Sequence, residues 1–394
     1  MFQLQERLAP WRARSGVDQL SFRLAAFFGQ PHLIDATLRL FSAGILPTPA
    51  RKRFLFTGLE PAELGRTLRA IRSLADWPDV WAVEARRQEV RARAAELADT
   101  PAARARAAGH WRAAALAYSF ASAAVSGEAI ADSELEAARL EAFRRAAPGL
   151  TPPAEAVTIP WPTAPLPGWL RRPALATGPT PLVVLFNGAG VVKEEMTLWG
   201  DAFLERGLAT LAFDGPGCGE LRGRLATDRN QEDITATILD WAGARPDLDG
   251  ARVALLGVSF GGAQVIHHAA RNPRVAACVS VTPPYHPPPY IDRVHPFVMA
   301  EITSLCGEAD GAAIVARSAD LSCIPFVGDV RCPTMVVAAG FDAILPPTEA
   351  RQLYDALTCP KILLHLRGAA HIGLSHIDPW TAAAAEWLDA RLAE

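Results

Sequence analysis

The sequence of 394 residues has little cysteine and lysine, and it lacks any long apolar segment. All six cysteines lie after residue 217, without a Cys-x-x-Cys pair or zinc-type spacing to histidine, which argues against a metal site. Thiols of this kind fit a reducing compartment, and no stretch of 18 uninterrupted apolar residues indicates a transmembrane helix. The N-terminal segment carries charges where a signal peptide needs an apolar run. These absences predict a cytoplasmic protein that does not bind a membrane.

An excess of charge of one sign is also missing. The formal net charge is -3, which argues against a nucleic-acid-binding protein with a basic surface. Hydrophobic residues make up 50% of the chain and charged residues 21%, as in a globular protein with a sizeable core. The first 150 residues contain 21 Lys and Arg against 16 Asp and Glu. This favours a solvated helical surface, with an anionic partner as the alternative.

The chain divides into three regions of different composition. Residues 1–150 are rich in Ala, Leu, Arg and Glu, and this predicts an all-helical N-terminal lid domain. Its apolar surface makes a homodimer an open expectation. Residues 151–180 contain eight prolines and are expected to form a linker with a first hairpin, whose arms are 156–159 and 166–170. Residues 181–394 are the expected catalytic domain, with a lid-like insertion at about 283–328.

Six apolar runs alternate with helical segments after residue 181. They are 182–186, 208–213, 252–256, 275–281, 334–338 and 361–366. Buried strands that alternate with helices indicate an α/β fold with a mostly parallel sheet covered on both faces. In such sheets the reactive groups lie in loops beyond the carboxyl ends of the strands, so the functional residues are expected in these loops.

The clearest motif is Gly-x-Ser-x-Gly at 257–261, between an apolar run and a helical segment. Strand, turn and helix in this order are typical of a nucleophile elbow, with Ser259 as the nucleophile. A serine hydroxyl needs a base held by a carboxylate, and these follow in the order Ser, acid, His. Asp342 follows the run 334–338 and is the predicted acid. His371 follows the run 361–366 and is the predicted base.

Each partner has alternatives. His376 is the second candidate for the base. Asp329 precedes its strand and Asp355 lies on a predicted helix, so both are weaker candidates for the catalytic acid. Asp342 also has a purely structural interpretation, as a cap of the helix that begins near residue 347. The other histidines after the elbow are interpreted as structural or pocket residues: His267, His268, His286, His295 and His365.

The oxyanion of the reaction needs two backbone N–H donors. Phe260 supplies one, and Ala189 in the loop 187–190 supplies the other, with Gly188 and Gly190 as alternatives. The substrate-binding candidates are Asn187, Gly188, Glu195, Tyr285 and Tyr290. Asn187 is also a candidate for fixing its loop, and Glu195 also suits the dipole at a helix start. For the two tyrosines, which lie in a proline-rich loop, a pocket role and a surface role are both open.

The glycine-rich segment 214–220 lacks both phosphate-loop patterns, so a structural turn is expected there. Ser259, Asp342 and His371, in this order, resemble the α/β-hydrolase superfamily across about residues 155–394. Segments 109–115, 186–188 and 193–195 are similar to the subgroup that contains 2,6-dihydroxypseudooxynicotine hydrolase. That subgroup also contains fungal polyketide-shortening hydrolases and esterases related to the fermentation–respiration switch protein. The loop 187–190 departs from the Gly-Leu pair frequent there.

The resemblance implies a helical lid over the site and, in several members, cleavage of a carbon–carbon bond beside a ketone. We therefore expect a serine hydrolase without cofactor or metal. Its substrate is expected to be a small aromatic or polyketide-like ester or ketone. The alternatives are an acyltransferase that uses the same triad and a non-catalytic binding protein.

Overall fold

The computed structural model describes residues 31–46, 48–56, 58–122, 133–227 and 232–393. Its N-terminal part is helical, and one of its helices begins at Pro101, because proline fits a first turn and not a helix interior. The helices of this part are α1 Pro31–Phe41, α2 Thr48–Phe56, α3 Pro61–Ala70, α4 Trp77–Glu96, α5 Pro101–Ser122 and α6 Glu134–Ala146. The helical expectation for residues 1–30 and 123–132 lies outside the described residues.

Small side chains let the N-terminal helices pack closely. Residues 113–117 of α5 are fully buried alanines and one leucine, which allow α4 and α6 to approach the α5 backbone. Large rings fill the remaining space, since Trp81, Trp111 and Phe143 are each at most 2% exposed. The helical region therefore has a core of its own.

The C-terminal part is built on an eight-stranded sheet of order β1-β2-β4-β3-β5-β6-β7-β8. The strands are β1 Ala154–Ile159, β2 Leu166–Arg171, β3 Thr180–Phe186, β4 Ala209–Phe213, β5 Leu248–Val258, β6 Ala277–Val281, β7 Thr334–Ala339 and β8 Lys361–Leu366. β1 and β2 form an antiparallel hairpin, and β2 pairs antiparallel with β4. All pairings among β3 to β8 are parallel. The predicted α/β class with a mostly parallel sheet is confirmed.

Helices cover both faces of this sheet. They are α7 Lys193–Leu198, α8 Asp201–Glu205, α9 Glu232–Gly243, α10 Phe260–Arg271, α11 Pro296–Cys306, α12 Gly311–Arg317, α13 Thr348–Ala356 and α14 Ile377–Leu392. Alternate residues of β3 enter different cores: Leu182 and Val184 pack with α9, α10 and α13, whereas Val183 and Leu185 pack with α8 and α14. This explains why the strands are apolar without alternation.

Helices α11 and α12 lie in the segment between β6 and β7 that was expected to form a lid-like insertion. We call them the lid helices. The domain boundaries at 150 and 180 and the homodimer stay predictions. Within the described residues, no helix combines the length and apolarity needed to cross a membrane.

Candidate active site

Ser259 lies on the sharp turn between β5 and α10. Its backbone has φ 54° and ψ -119°, a conformation that residues with side chains adopt only where their surroundings enforce it. A Cβ on Gly257 would lie 2.0 Å from the carbonyl oxygen of Gly261, and a Cβ on Gly261 would lie 2.5 Å from that of Phe186. Glycine is therefore required at both motif positions. The Ser259 N–H donates to the Val281 carbonyl at 2.8 Å and ties the turn to β6.

The structure brings Ser259, His371 and Asp342 into one hydrogen-bonded chain. His371 Nε2 lies 2.9 Å from Ser259 Oγ, and His371 Nδ1 lies 2.7 Å from Asp342 Oδ2. Because an ionised carboxylate only accepts hydrogen bonds, Nδ1 carries the imidazole proton and Nε2 is left to accept one from the serine. The His371 side chain is 13% exposed and that of Asp342 is 3% exposed, so water competes little for these bonds.

Local contacts hold the loops of the acid and the base. Asp342 Oδ1 accepts two backbone N–H groups of its own loop at 2.9 and 3.0 Å, while Oδ2 faces His371. The Ile372 N–H donates to Thr282 Oγ1 at 3.2 Å, and Thr282 directly follows β6. The loop of the base is thus tied to the strand beside the nucleophile. Sequence reasoning missed Thr282, because a threonine after a strand gives no signal of this contact.

Both residues predicted to donate to the oxyanion line a small pocket with Ser259. These residues are Ala189 and Phe260, and the pocket has a volume of about 40 Å³. Its other walls are mainly apolar: Ala263, Pro284, Pro287, Tyr290, Ile291, Val298, Ile302, Leu321, Ile344 and Leu345. Gly188 lies directly against the elbow, since a Cβ there would be 3.3 Å from the Ser259 Cβ. The loop 187–190 therefore packs on the nucleophile.

Of the two candidate tyrosines, Tyr290 lines this pocket. Its hydroxyl donates to Glu349 Oε2 at 3.0 Å, and the same oxygen accepts the His286 N–H at 2.7 Å. Burial raises the pKa of Glu349 to about 7. Tyr285 packs instead against the core on the face of α10 and α13. Sequence reasoning did not single out Glu349, which lies on a helix remote from the motif.

Asn187 holds its loop to the end of β4. Its Nδ2 donates to Asp214 Oδ1 at 3.1 Å, and Asp214 also accepts the N–H and the Nζ of Lys193 at 2.9 and 3.0 Å. Burial works to raise the pKa of Asp214, but the charges of Lys193 and Arg139 hold it below its ordinary value. The segment 214–220 is a turn, as expected, and its first residue is a buried carboxylate of the site's framework.

The two acidic residues at the start of α7 have charged partners besides the helix dipole. Glu194 accepts from Arg139 of α6 and lies 2.8 Å from Lys193 Nζ. Glu195 is bound by Arg53 of α2, with both nitrogen–oxygen pairs at 2.8 Å. Both carboxylates are at most 1% exposed. They face arginines of the helical region, and Glu195 does so instead of facing the Ser259 pocket.

The second candidate for the base, His376, and the histidine His267 of α10 have other partners. His376 Nδ1 lies 2.8 Å from Ser375 Oγ and thus contacts its neighbour instead of Ser259. His267 packs edge-on against Phe326, with ring centroids 4.7 Å apart, and burial lowers its pKa to about 4. In the part of the chain that the structure describes, no three His, Cys, Asp or Glu side chains are arranged to hold a metal ion.

A larger cavity of about 410 Å³ adjoins the Ser259 pocket. The two share Phe260, Ala263 and Leu321 in their walls. The larger one extends between α10 and the lid helices, where the side chains are mostly apolar or aromatic. Arg317 at its wall is paired with Glu308, so the charge there is largely compensated.

Comparison with known proteins identifies relatives of this chain. The sequence profile described as "Esterase FrsA-like" matches residues 71–290, more than half of the chain. The 2,6-dihydropseudooxynicotine hydrolase of Paenarthrobacter nicotinovorans is 34% identical over 145 residues, 37% of this chain and 39% of that protein. The 20-hydroxy-prefusarin hydrolase FUS2 of Gibberella moniliformis is 37% identical over 129 residues, 30% of each chain. These two alignments span less than half of either relative.

The similarity in fold to a known structure covers more of the chain than these two sequence alignments do. The crystal structure of 2,6-dihydroxy-pseudo-oxynicotine hydrolase matches with a TM-score of 0.75 and 23% identity, covering 87% of this chain and 95% of that one. At this identity the match establishes the α/β-hydrolase architecture, while the profile match to residues 71–290 establishes the family. The chain belongs to the FrsA-like esterase family.

Proposed function

We propose that this protein is a serine hydrolase that cleaves an ester or a carbon–carbon bond beside a carbonyl group. The observation that carries the proposal is the hydrogen-bonded chain of Ser259, His371 and Asp342 at the carboxyl ends of parallel strands. A nucleophile, a base and an orienting carboxylate in this arrangement perform acyl transfer on several unrelated folds.

The distances support a two-step reaction. His371 Nε2 takes the proton of Ser259 Oγ while this oxygen attacks the carbonyl carbon, and Asp342 stabilises the resulting imidazolium. The N–H groups of Ala189 and Phe260 hold the oxyanion. The leaving group departs as an alkoxide or a ketone-stabilised carbanion and receives the proton from His371. Water then gives a proton to His371 and attacks the carbonyl carbon of the acyl-enzyme. The bond to Ser259 Oγ breaks, His371 returns the proton to this oxygen, and the acid is released.

The cavities support a small, partly aromatic or polyketide-like substrate. The Ser259 pocket is apolar and has room for little beyond the reacting carbonyl group. The adjoining cavity of about 410 Å³ lies within the usual range for small-molecule sites and has room for the rest of the substrate. Phe326 and His267 line this cavity, with the Arg271 guanidinium over the Phe326 ring. Two relatives are named as hydrolases of 2,6-dihydropseudooxynicotine and of 20-hydroxy-prefusarin, which agrees with the proposal.

Product analysis by mass spectrometry tests the proposal. Wild-type protein and Ser259→Ala receive a panel of aryl esters and 1,3-diketones, with Ser73→Ala as a control serine of the helical region. Ester cleavage alone, lost only in Ser259→Ala, identifies an esterase. Diketone cleavage, lost in the same variant, identifies a carbon–carbon bond hydrolase. Addition of an alcohol acceptor separates hydrolysis from acyl transfer, because transfer yields a new ester.

Labelling with a fluorophosphonate addresses the alternative of a non-catalytic protein. We expect covalent modification of Ser259 in wild-type protein and none in Ser259→Ala. Folded wild-type protein that resists labelling and cleaves no member of the panel would contradict the proposed function.

A further inference from the structure

Helix α2 is part of the helical region, because its apolar side is packed into that region's core. The Phe54 ring lies 4.7 Å from Phe120 of α5 and 4.9 Å from Trp81 of α4, measured between centroids. Phe54 is 7% exposed. Helix α2 therefore packs on α4 and α5 of the helical region.

The opposite side of α2 reaches the loop predicted to hold the oxyanion. Arg53 binds Glu195 with two hydrogen bonds of 2.8 Å, and its Nη2 also donates to the Gly190 carbonyl at 3.2 Å. Although burial opposes the charge, Glu195 raises the pKa of Arg53 above its ordinary value. A bidentate pair of this kind holds both partners in one orientation.

The neighbouring residue reaches the loop of the base. Lys52 Nζ donates to the Ser375 carbonyl at 2.8 Å, within the turn His371–His376. Two consecutive side chains of one helix thus contact the loop of Ala189 and the loop of His371. In addition, Phe56 of the same helix packs edge-on against Trp199, with ring centroids 6.1 Å apart.

We propose that Arg53 is a positioning residue, through which the helical region completes the oxyanion hole. Arg53 fixes the Gly190 carbonyl, one residue after Ala189, in the same loop whose Gly188 packs against Ser259. An oxyanion donor works only when it is held in place before the reaction, within about 0.5 Å of its productive position. This inference rests on the proposed serine hydrolase mechanism.

The test removes the charges of Arg53 and Glu195 together. Arg53→Met alone leaves Glu195 buried without a partner, which destabilises the fold. The double variant Arg53→Met/Glu195→Gln avoids this unpaired charge. We expect kcat on an aryl acetate to fall by about 10- to 100-fold, as for a small displacement of a catalytic group, with KM nearly unchanged. Affinity for an aryl trifluoromethyl ketone, which forms a tetrahedral oxyanion on Ser259, should fall by a similar factor.

Two further variants sharpen the test. Arg53→Lys keeps the charge and one hydrogen bond, so part of kcat should be recovered. Arg51→Met is the matched control, because Arg51 lies on the same helix but donates to the Gly44 carbonyl within the helical region. Its kcat and analogue affinity should equal those of wild-type protein.

The concentration of active sites is counted by the end point of fluorophosphonate labelling. A double variant with wild-type kcat per labelled site and wild-type analogue affinity would overturn the inference, even if less protein folds. Wild-type protein that neither labels nor turns over would instead overturn the proposed function, so the two failures are distinguishable.

Discussion

The surface of the helical region and its contact with the sheet region use charged side chains differently. On α6, Arg144 and Arg145 pair with Glu141 in solvent, at 2.9 and 2.7 Å, and exposed pairs of this kind contribute little to stability. At the contact, Arg139 of the same helix binds Glu194 with both side chains at most 1% exposed. A buried pair adds little net stability over apolar residues, but it tolerates only one geometry.

The two regions also contribute different residues to the candidate active site. The sheet region carries Ser259, Asp342 and His371, whereas the helical region contributes Arg53 and Arg139 to the framework behind them. In the proposed mechanism the sheet region supplies the reacting groups, and the helical region supplies contacts to the loops that hold them. If this division is correct, substitutions in the sheet region abolish the reaction, and substitutions at the contact change stability or rate by smaller factors.

The largest effect is expected for Ser259→Ala. Loss of the nucleophile should lower kcat by about 10⁴- to 10⁶-fold without lowering the melting temperature, because no buried partner is left charged. Steady-state kinetics on the best ester or diketone, together with thermal unfolding, measures both quantities. Residual activity above one per cent of wild type in pure protein would contradict the assignment of the nucleophile.

Asp342→Asn should lower kcat by about 10⁴-fold, because an amide no longer holds the His371 tautomer with Nδ1 protonated. Asp355→Asn is the matched control, since Asp355 lies on the exposed side of α13 and pairs with Arg351. It should keep wild-type kinetics. Equal losses in the two variants would remove the distinction between the acid and an ordinary surface aspartate.

Arg139→Met tests the contact between the two regions. Arg139 binds both Glu136 and Glu194, so its loss takes a cation away from two buried carboxylates, of which Glu194 keeps Lys193, and should cost about 3–5 kcal/mol of unfolding free energy. The same change at Arg144 should cost much less, because Arg144 is exposed and water screens its pair with Glu141. Urea unfolding of both variants measures the two losses of unfolding free energy. Equal costs would mean that burial does not distinguish the pairs.

Glu349 makes the stability of the sheet region depend on pH. Its pKa is raised by burial from an ordinary 4.5 to about 7, so the folded protein binds this proton more tightly than the unfolded chain does. The stabilisation is complete below pH 4.5 and is lost as the pH rises through 7, by an amount on the order of 3 kcal/mol.

Glu349→Gln should remove this dependence of the unfolding free energy on pH, while keeping an acceptor for the Tyr290 hydroxyl. The measurement is the difference in unfolding free energy between wild type and variant at pH 5 and pH 8. A difference that does not change between the two pH values would contradict a raised pKa at this site.

Much of the sheet region follows from local sequence. Continuous apolar runs predicted its parallel strands, because a strand buried on both faces needs apolar side chains at every position. The Gly-x-Ser-x-Gly motif marked its own turn, since Gly257 and Gly261 have no room for a Cβ. Asp342 and His371 were found from their places after strands, because the carboxyl ends of parallel strands meet at one edge.

The sequence by itself therefore determined the α/β class, the order of the strands along the chain and the residues that meet at their ends. Only the tertiary structure decided which charges pair across the two regions. Arg53 and Glu195 are separated by 142 positions, and Arg139 and Glu194 by 55. Pairs so distant leave no periodic pattern in the sequence, and their partners are selected by the way the helices pack on the sheet.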